Sequence, residues 1–319
     1  MELVSVNGRI TPPGEAAVSP LDRGFLYGDS VYETLRTYGR VPFRLGPHID
    51  RLRRSAWALG IPHERAAVDP GVAVAALLEA ADAAESASTG AAGAGKVPAA
   101  APQGHPDRAL RIILTRGVGG IGYDPADCGP PTVVVHVRPM PLLPAEWYRE
   151  GVDVAVVPVT RNAISALDPA IKSSNLLNNY LAWEAGRRLR VFEPILLNPD
   201  GLLAEGATSN LFVVRDGRLR TPDLGAGLLA GITRAAVIES ARGGGIEVDE
   251  TNLRPEALRA ADEAFLTSTL KGVLPIRRVD GWPVREGRPG RLTRRVMELF
   301  AALVQAETKA GGAPGSMRR

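Results

Sequence analysis

The period of the hydrophobic pattern changes several times along the chain, and each change marks an element. Leu3–Val6 and Arg9–Thr11 flank Asn7-Gly8, a pair suited to a two-residue turn, so the chain opens as a β-hairpin. Residues 22–29, with Gly24 and Gly28, read as a loop. Residues 31–38 then alternate with strand period, and Gly39-Arg40 turns them into 41–45. At 47–59 the period lengthens: Ile49, Leu52, Ala56 and Leu59 recur at helical steps, with Pro47 suited to the first turn. A second helix is predicted from Asp69, a cap, and Pro70 through an alanine-rich run to about Ala87. Residues 110–115 and 132–138 are two more strands.

The prolines between Pro139 and Pro144 interrupt both periods and mark a domain boundary. They separate an N-terminal domain (1–138) and a linker (139–149) from a C-terminal domain (150–308). Beyond them, strands are predicted at 152–159, 194–197, 210–215, 218–221, 263–267 and 275–279, and helices at 174–189, 231–242 and 291–306. Residues 88–107, rich in Ala, Gly and Pro, cannot bury enough apolar surface to offset chain entropy and read as a disordered insertion. Residues 309–319 read as a flexible tail.

Composition narrows the class. A length of 319 residues allows one large or two medium domains. The 38 basic and 35 acidic residues nearly balance, and the basic ones are spread as arginine rather than gathered in a patch, so nucleic acid is not implied. The single Cys128 excludes an internal disulfide framework, and the four histidines lack paired metal spacing, so no metal is expected. No apolar run could span a bilayer and no export signal opens the chain; a cytoplasmic protein is expected.

Against that background the lysines stand out. Only Lys96, Lys172, Lys271 and Lys309 occur among the 38 basic residues. Lys172 follows Ile171 and precedes a helix-like run. Arginine cannot replace lysine in carbonyl chemistry, because a desolvated ammonium can lose its proton and attack while guanidinium stays charged. Lys172 is therefore either a nucleophile or a surface lysine at a helix start. Two other motifs carry less. Gly117 to Gly122 spells the dinucleotide fingerprint, but Pro125, Pro130 and Pro131 leave no room for the helix it requires. Ser268-Thr269-Leu270-Lys271 matches a serine–lysine pattern whose partner motifs are out of order or missing.

The glycine-rich run from Gly225 to Gly231 leads into Ile232-Thr233-Arg234. Such a turn entering a helix offers unpaired N–H groups to an anion, or is a plain turn. Glu205 lies between apolar Leu202-Leu203-Ala204 and a predicted strand, as a solvated turn residue or as a buried partner for a protonated nitrogen.

Taken in order, Asp22-Arg23-Gly24-Phe25-Leu26-Tyr27-Gly28-Asp29, Lys172, Glu205, Gly231-Ile232-Thr233-Arg234 and Thr269 resemble the class IV (fold type IV) pyridoxal-phosphate enzymes. That family includes branched-chain aminotransferases, D-amino-acid aminotransferases and 4-amino-4-deoxychorismate lyases. The resemblance implies an α/β (α+β) fold of two domains, a smaller N-terminal α/β sandwich and a larger C-terminal pseudo-barrel. It implies pyridoxal 5′-phosphate as cofactor, carried by Lys172, which also moves the substrate's proton. Glu205 would hold the pyridine nitrogen protonated. Arg51, the backbone of Ile232 and Thr233, and the Thr233 and Thr269 hydroxyls would bind the phosphate. Tyr27 and Tyr32 would face substrate. An aminotransferase moving an amino group from a branched-chain-like amino acid to a 2-oxo acid such as 2-oxoglutarate is the expected activity; the lyase that releases pyruvate and 4-aminobenzoate is the alternative. Residues 117–127 and Asn178-Asn179-Tyr180 resemble branched-chain-type enzymes. Leu177, five residues after the lysine where those enzymes usually carry tyrosine, departs from them. Ile121 and Tyr123 stand where the D-specific group has arginine and histidine. A homodimer is implied.

Overall fold

The computed structural model describes residues 1–91 and 107–310; most of the predicted insertion (92–106) and the tail beyond 310 lie outside these. The chain forms two compact units. The first comprises Met1–Pro141 with Lys172–Asn175 and the stretch from Thr308; the second comprises Leu142–Ile171 and Leu176–Glu307.

In the first unit, β1 (Leu3–Val6) and β2 (Arg9–Thr11) form the predicted hairpin. Its turn residues Asn7 and Gly8 have φ of 51° and 88°, the left-handed conformation such a turn requires. The expected loop at 22–29 contains a short helix instead, α1 (Arg23–Tyr27). Five residues are too few to show a helical period, yet both ends are marked: Asp22 Oδ1 accepts from Gly24 N, and Gly28 ends the helix at φ 67°. Strand β3 (Ser30–Tyr38) turns into β4 (Val41–Pro42), followed by α2 (Leu45–Ala58) and α3 (Pro70–Ala91). Helix α3 continues four residues past its predicted end, through Ser88-Thr89-Gly90-Ala91, into the segment read as disordered. Strands β5 (Arg108–Thr115) and β6 (Val133–Pro139) complete an antiparallel six-stranded sheet ordered β2-β1-β6-β5-β3-β4. One face, carrying Val31, Leu35, Ile112 and Val135, is buried against α2 and α3. The other carries half-buried Tyr32 and Arg111.

The second unit adds α4 (Ala145–Glu150), β7 (Val152–Thr160), α5 (Leu177–Arg188), β8 (Glu193–Leu197), β9 (Leu203–Gly206), β10 (Asn210–Arg215) and β11 (Arg218–Pro222). Then come α6 (Ile232–Gly243), β12 (Val248–Thr251), α7 (Pro255–Arg259), β13 (Glu263–Ser268), β14 (Gly272–Val279), β15 (Trp282–Pro283) and α8 (Arg291–Ala310). Eight strands run β12-β11-β10-β13-β14-β7-β8-β9, with β15 against β14. The sheet curls until β9 lies beside β10. Val154, Ile195, Leu203, Leu211, Leu266 and Leu274 fill its core. The strands and helices absent from the sequence reading (α4, β9, β12, α7, β15) are all six residues or shorter, below the length at which a period shows. Ser268-Thr269-Leu270-Lys271 is the tight link between β13 and β14. No helix among the described residues is long and apolar enough to cross a membrane.

Candidate active site

Lys172 is held by its main chain. Its N–H donates to Ser55 Oγ (3.1 Å), its carbonyl accepts from Tyr32 N (2.9 Å), and Ser173 pairs with Val31 as an antiparallel rung on β3. That pairing, continued by Ser174 N donating to Ser30 O (2.9 Å), explains why the helix predicted from 174 starts only at Leu177. Lys172 Nζ lies 4.4 Å from the centre of the Tyr32 ring, and the Arg111 guanidinium lies 3.9 Å from the same ring. Arg111 makes no ion pair among the described residues. Tyr27 accepts from Gly122 N through its hydroxyl (3.1 Å), and its ring packs on Tyr123. Gly117 is fixed by close approach, since any side chain there would collide with the Pro130 carbonyl. No α-helix follows this loop.

Arg51 is buried, whereas Arg53 and Arg54 on the same helix are exposed. With His48 and Ser55 it forms one buried face of α2, turned towards β3. Glu33, fully buried, accepts from Arg51 Nε and Nη2 (2.7 Å each) and lies 2.7 Å from His48 Nδ1. Burial alone would push the Glu33 carboxyl up, but bonds from Arg51 and His48 outweigh it and hold the pKa at about 2. Burial pushes His48 down more strongly than Glu33 raises it. Glu33 therefore gives its full stabilisation above its ordinary pKa of 4.5 and loses it as pH falls towards about 2; neutral His48 adds to the same acid-side loss. Denaturant midpoints measured across this window should fall with pH, and Glu33→Gln should flatten the decline. An equal slope in the variant would remove Glu33 as its cause.

The second unit holds the remaining residues. Glu205, on β9, is buried rather than a solvated turn residue. Its Oε1 accepts from Arg161 Nε (2.9 Å), and its Oε2 from Leu229 N (3.1 Å) and Asn210 Nδ2 (3.4 Å). Arg161 is buried too, and donates on to Asn178 Oδ1 (3.0 Å). Asn210 Nδ2 also bonds the Leu229 carbonyl (2.9 Å), tying β10 to the glycine-rich run. Gly231 precedes α6, and a side chain there would strike Asn210 Oδ1. No side chain caps α6, so its first N–H groups, including those of Ile232 and Thr233, are not satisfied that way. Thr269 is half-buried in the turn after β13. Arg161 and Arg111 escaped the sequence reading, since nothing in local spacing distinguishes them from other polar residues in and after strands; Asn178 was part of a recognised motif, but its bond to Arg161 was not legible.

The family model described as amino-transferase class IV matches residues 30–279, from the first residue of β3 to the last of β14. The chain belongs to the class IV aminotransferases. Among relatives of this family, a protein of Methanocaldococcus jannaschii provisionally named a branched-chain-amino-acid aminotransferase is 35% identical over 297 residues, covering 93% of this chain and 94% of its own. The branched-chain-amino-acid aminotransferase of Escherichia coli is 33% identical, covering 95% and 93%. Aminodeoxychorismate lyase of Bacillus subtilis is 32% identical, covering 87% of each. The branched-chain amino acid aminotransferase of T.th., solved with pyridoxamine 5′-phosphate, superposes with a TM-score of 0.84 at 27% identity, covering 97% and 96%. The α/β fold of this class IV aminotransferase is that of this structure.

Proposed function

We propose that the chain is a pyridoxal 5′-phosphate-dependent aminotransferase that moves the amino group of a branched-chain amino acid to a 2-oxo acid such as 2-oxoglutarate. The observation that carries this reading is buried Glu205 bonded to Leu229, just before the uncapped start of α6. A carboxylate suited to a protonated ring nitrogen and amides suited to a phosphate are tied together by Asn210, so the residues fit this cofactor. Bound there, the cofactor supplies an electron sink for the charge left when an amino acid loses its α proton.

The chain's own residues supply the rest. Glu205 holds the ring nitrogen protonated. Ile232 and Thr233 offer backbone N–H groups, Thr233 and Thr269 offer hydroxyls, and Arg51, aligned by Glu33, offers a guanidinium to the phosphate. Lys172 Nζ takes the proton from the α carbon of the donor amino acid in one half-reaction and delivers a proton to the α carbon of the amino acid formed in the other. Arg111, a cation without an anionic partner among the described residues and set against the same Tyr32 ring as that amine, suits a substrate carboxylate. Tyr32 and Tyr27 line the approach. The branched-chain assignment rests on the M. jannaschii and E. coli relatives and on the T.th. structure.

A homodimer accompanies this reading. Phe25, Ile121 and Tyr123 in the first unit, and Leu177, Tyr180 and Leu181 along α5, are apolar yet more than half exposed, as surfaces that meet a second copy would be. The single Cys128 suits a reducing, cytoplasmic setting. Glutamate should form when the cofactor-loaded protein is given leucine and 2-oxoglutarate. Leu177 and the B. subtilis relative favour the lyase as the second reading. Pyruvate released from aminodeoxychorismate with no acceptor, in place of glutamate formation, would establish it.

A further inference from the structure

Lys271, one of the four lysines, has no part in the chemistry above. We propose that it and Glu193 are positioning residues that lock the turn after Glu205 to the turn carrying Thr269. The inference deepens the cofactor reading and rests on it.

Glu193, the first residue of β8, is buried within the second unit. Its Oε1 accepts from Thr208 N (2.6 Å), Thr208 Oγ1 (3.0 Å) and Ser209 Oγ (2.9 Å), so one carboxylate oxygen holds the last two residues of the turn between β9 and β10. Gly206 lets that carboxylate in: a side chain there would come within 2.6 Å of Ser209 Oγ and 2.7 Å of Glu193 Oε1. Glu205 precedes this turn with only Gly206 between; immediately after it stands Asn210, which bonds both Glu205 and Leu229. The turn's shape thus sets where the ring-nitrogen carboxylate and the start of α6 lie.

Lys271 enters from the neighbouring turn. Its Nζ donates to Thr208 Oγ1 (2.8 Å) and pairs with Glu193 Oε2 (3.4 Å). Tyr148 Oη donates to the Lys271 carbonyl (2.9 Å), and the Phe192 ring lies 5.0 Å from the ammonium, so both ends of the residue are fixed. Two residues earlier is Thr269. A displacement of Lys271 therefore moves a phosphate hydroxyl and the Glu205 turn together. An apolar pair could fill this space but could not bond Thr208 from two sides, and a buried carboxylate so engaged needs its cation.

The decisive variants are at half-buried Lys271, because removing buried Glu193 endangers the fold. Apoprotein is titrated with pyridoxal 5′-phosphate, following visible absorbance and its dependence on pH. Lys271→Met should raise the dissociation constant about tenfold, as expected for loss of a charged hydrogen bond that orders a site, and should shift the pH midpoint of the band. Lys271→Arg, which can still reach Thr208 and Glu193, should recover most of the affinity and the original midpoint. Wild-type affinity and midpoint in Lys271→Met would overturn the proposal, as would equal impairment in Met and Arg variants, which would point to packing alone. Wild-type protein that takes up no cofactor overturns the cofactor reading and this one together. Uptake by the wild type with unchanged variants overturns only the clamp.

Discussion

Lys172→Ala should take away the visible absorbance of the cofactor-loaded protein and lower turnover by on the order of 10⁴-fold. Both losses have one origin, the amine, because the bonds that place residue 172 are made by its main chain. Its N–H to Ser55 and its carbonyl to Tyr32 survive truncation of the side chain, as does the Ser173 rung on β3. Truncation does remove the ammonium from the face of the Tyr32 ring, a minor contribution to stability. A melting temperature near that of the wild type, alongside lost turnover and absorbance, is the expected combination. Turnover that persisted at the wild-type rate would refute Lys172 as the residue that moves the proton.

Glu205→Gln should be nearly as damaging, by a different route. The amide keeps the size of the carboxylate but removes the charge that would hold a ring nitrogen protonated. Turnover should fall about 10³-fold, with a smaller change in KM, because the loss concerns charge developing during reaction rather than substrate binding. The substitution also leaves buried Arg161 without its carboxylate. An uncompensated buried guanidinium costs about 3 kcal/mol, which denaturant unfolding should register. Arg161→Met/Glu205→Gln, with neither charge present, should regain part of that stability while turnover stays low. Recovery of both together would mean that Glu205 acts only as the partner of Arg161.

Much of this fold was legible because long elements write their period into the chain. The hairpin at Asn7-Gly8, the strand ending at Gly39-Arg40, and helices α2, α3, α6 and α8 all follow from spacing and turn chemistry. Helix α1 and strands β9 and β12 did not, being too short for any period to emerge. The site shows the same division. Lys172 and Glu205 were visible as chemical types out of place, a lysine in an arginine-rich chain and an acid between apolar residues. Their partners were hidden: Arg161 meets Glu205 across 44 residues of sequence, and Arg51 meets Glu33 across 18. No local pattern encodes such meetings. Glu33 itself sits at a core position of an alternating strand, where only the fold shows that α2 supplies its arginine and histidine.

The brief excursion of Lys172–Asn175 into the first unit matters for recombination between relatives. A chimera joined at Pro141 would inherit its lysine from one parent, and from the other the strand and serine that grip it. Shuffling that respects the apparent seam would therefore split one mechanical part between two ancestors, and a viable hybrid needs a four-residue graft as well as a crossover.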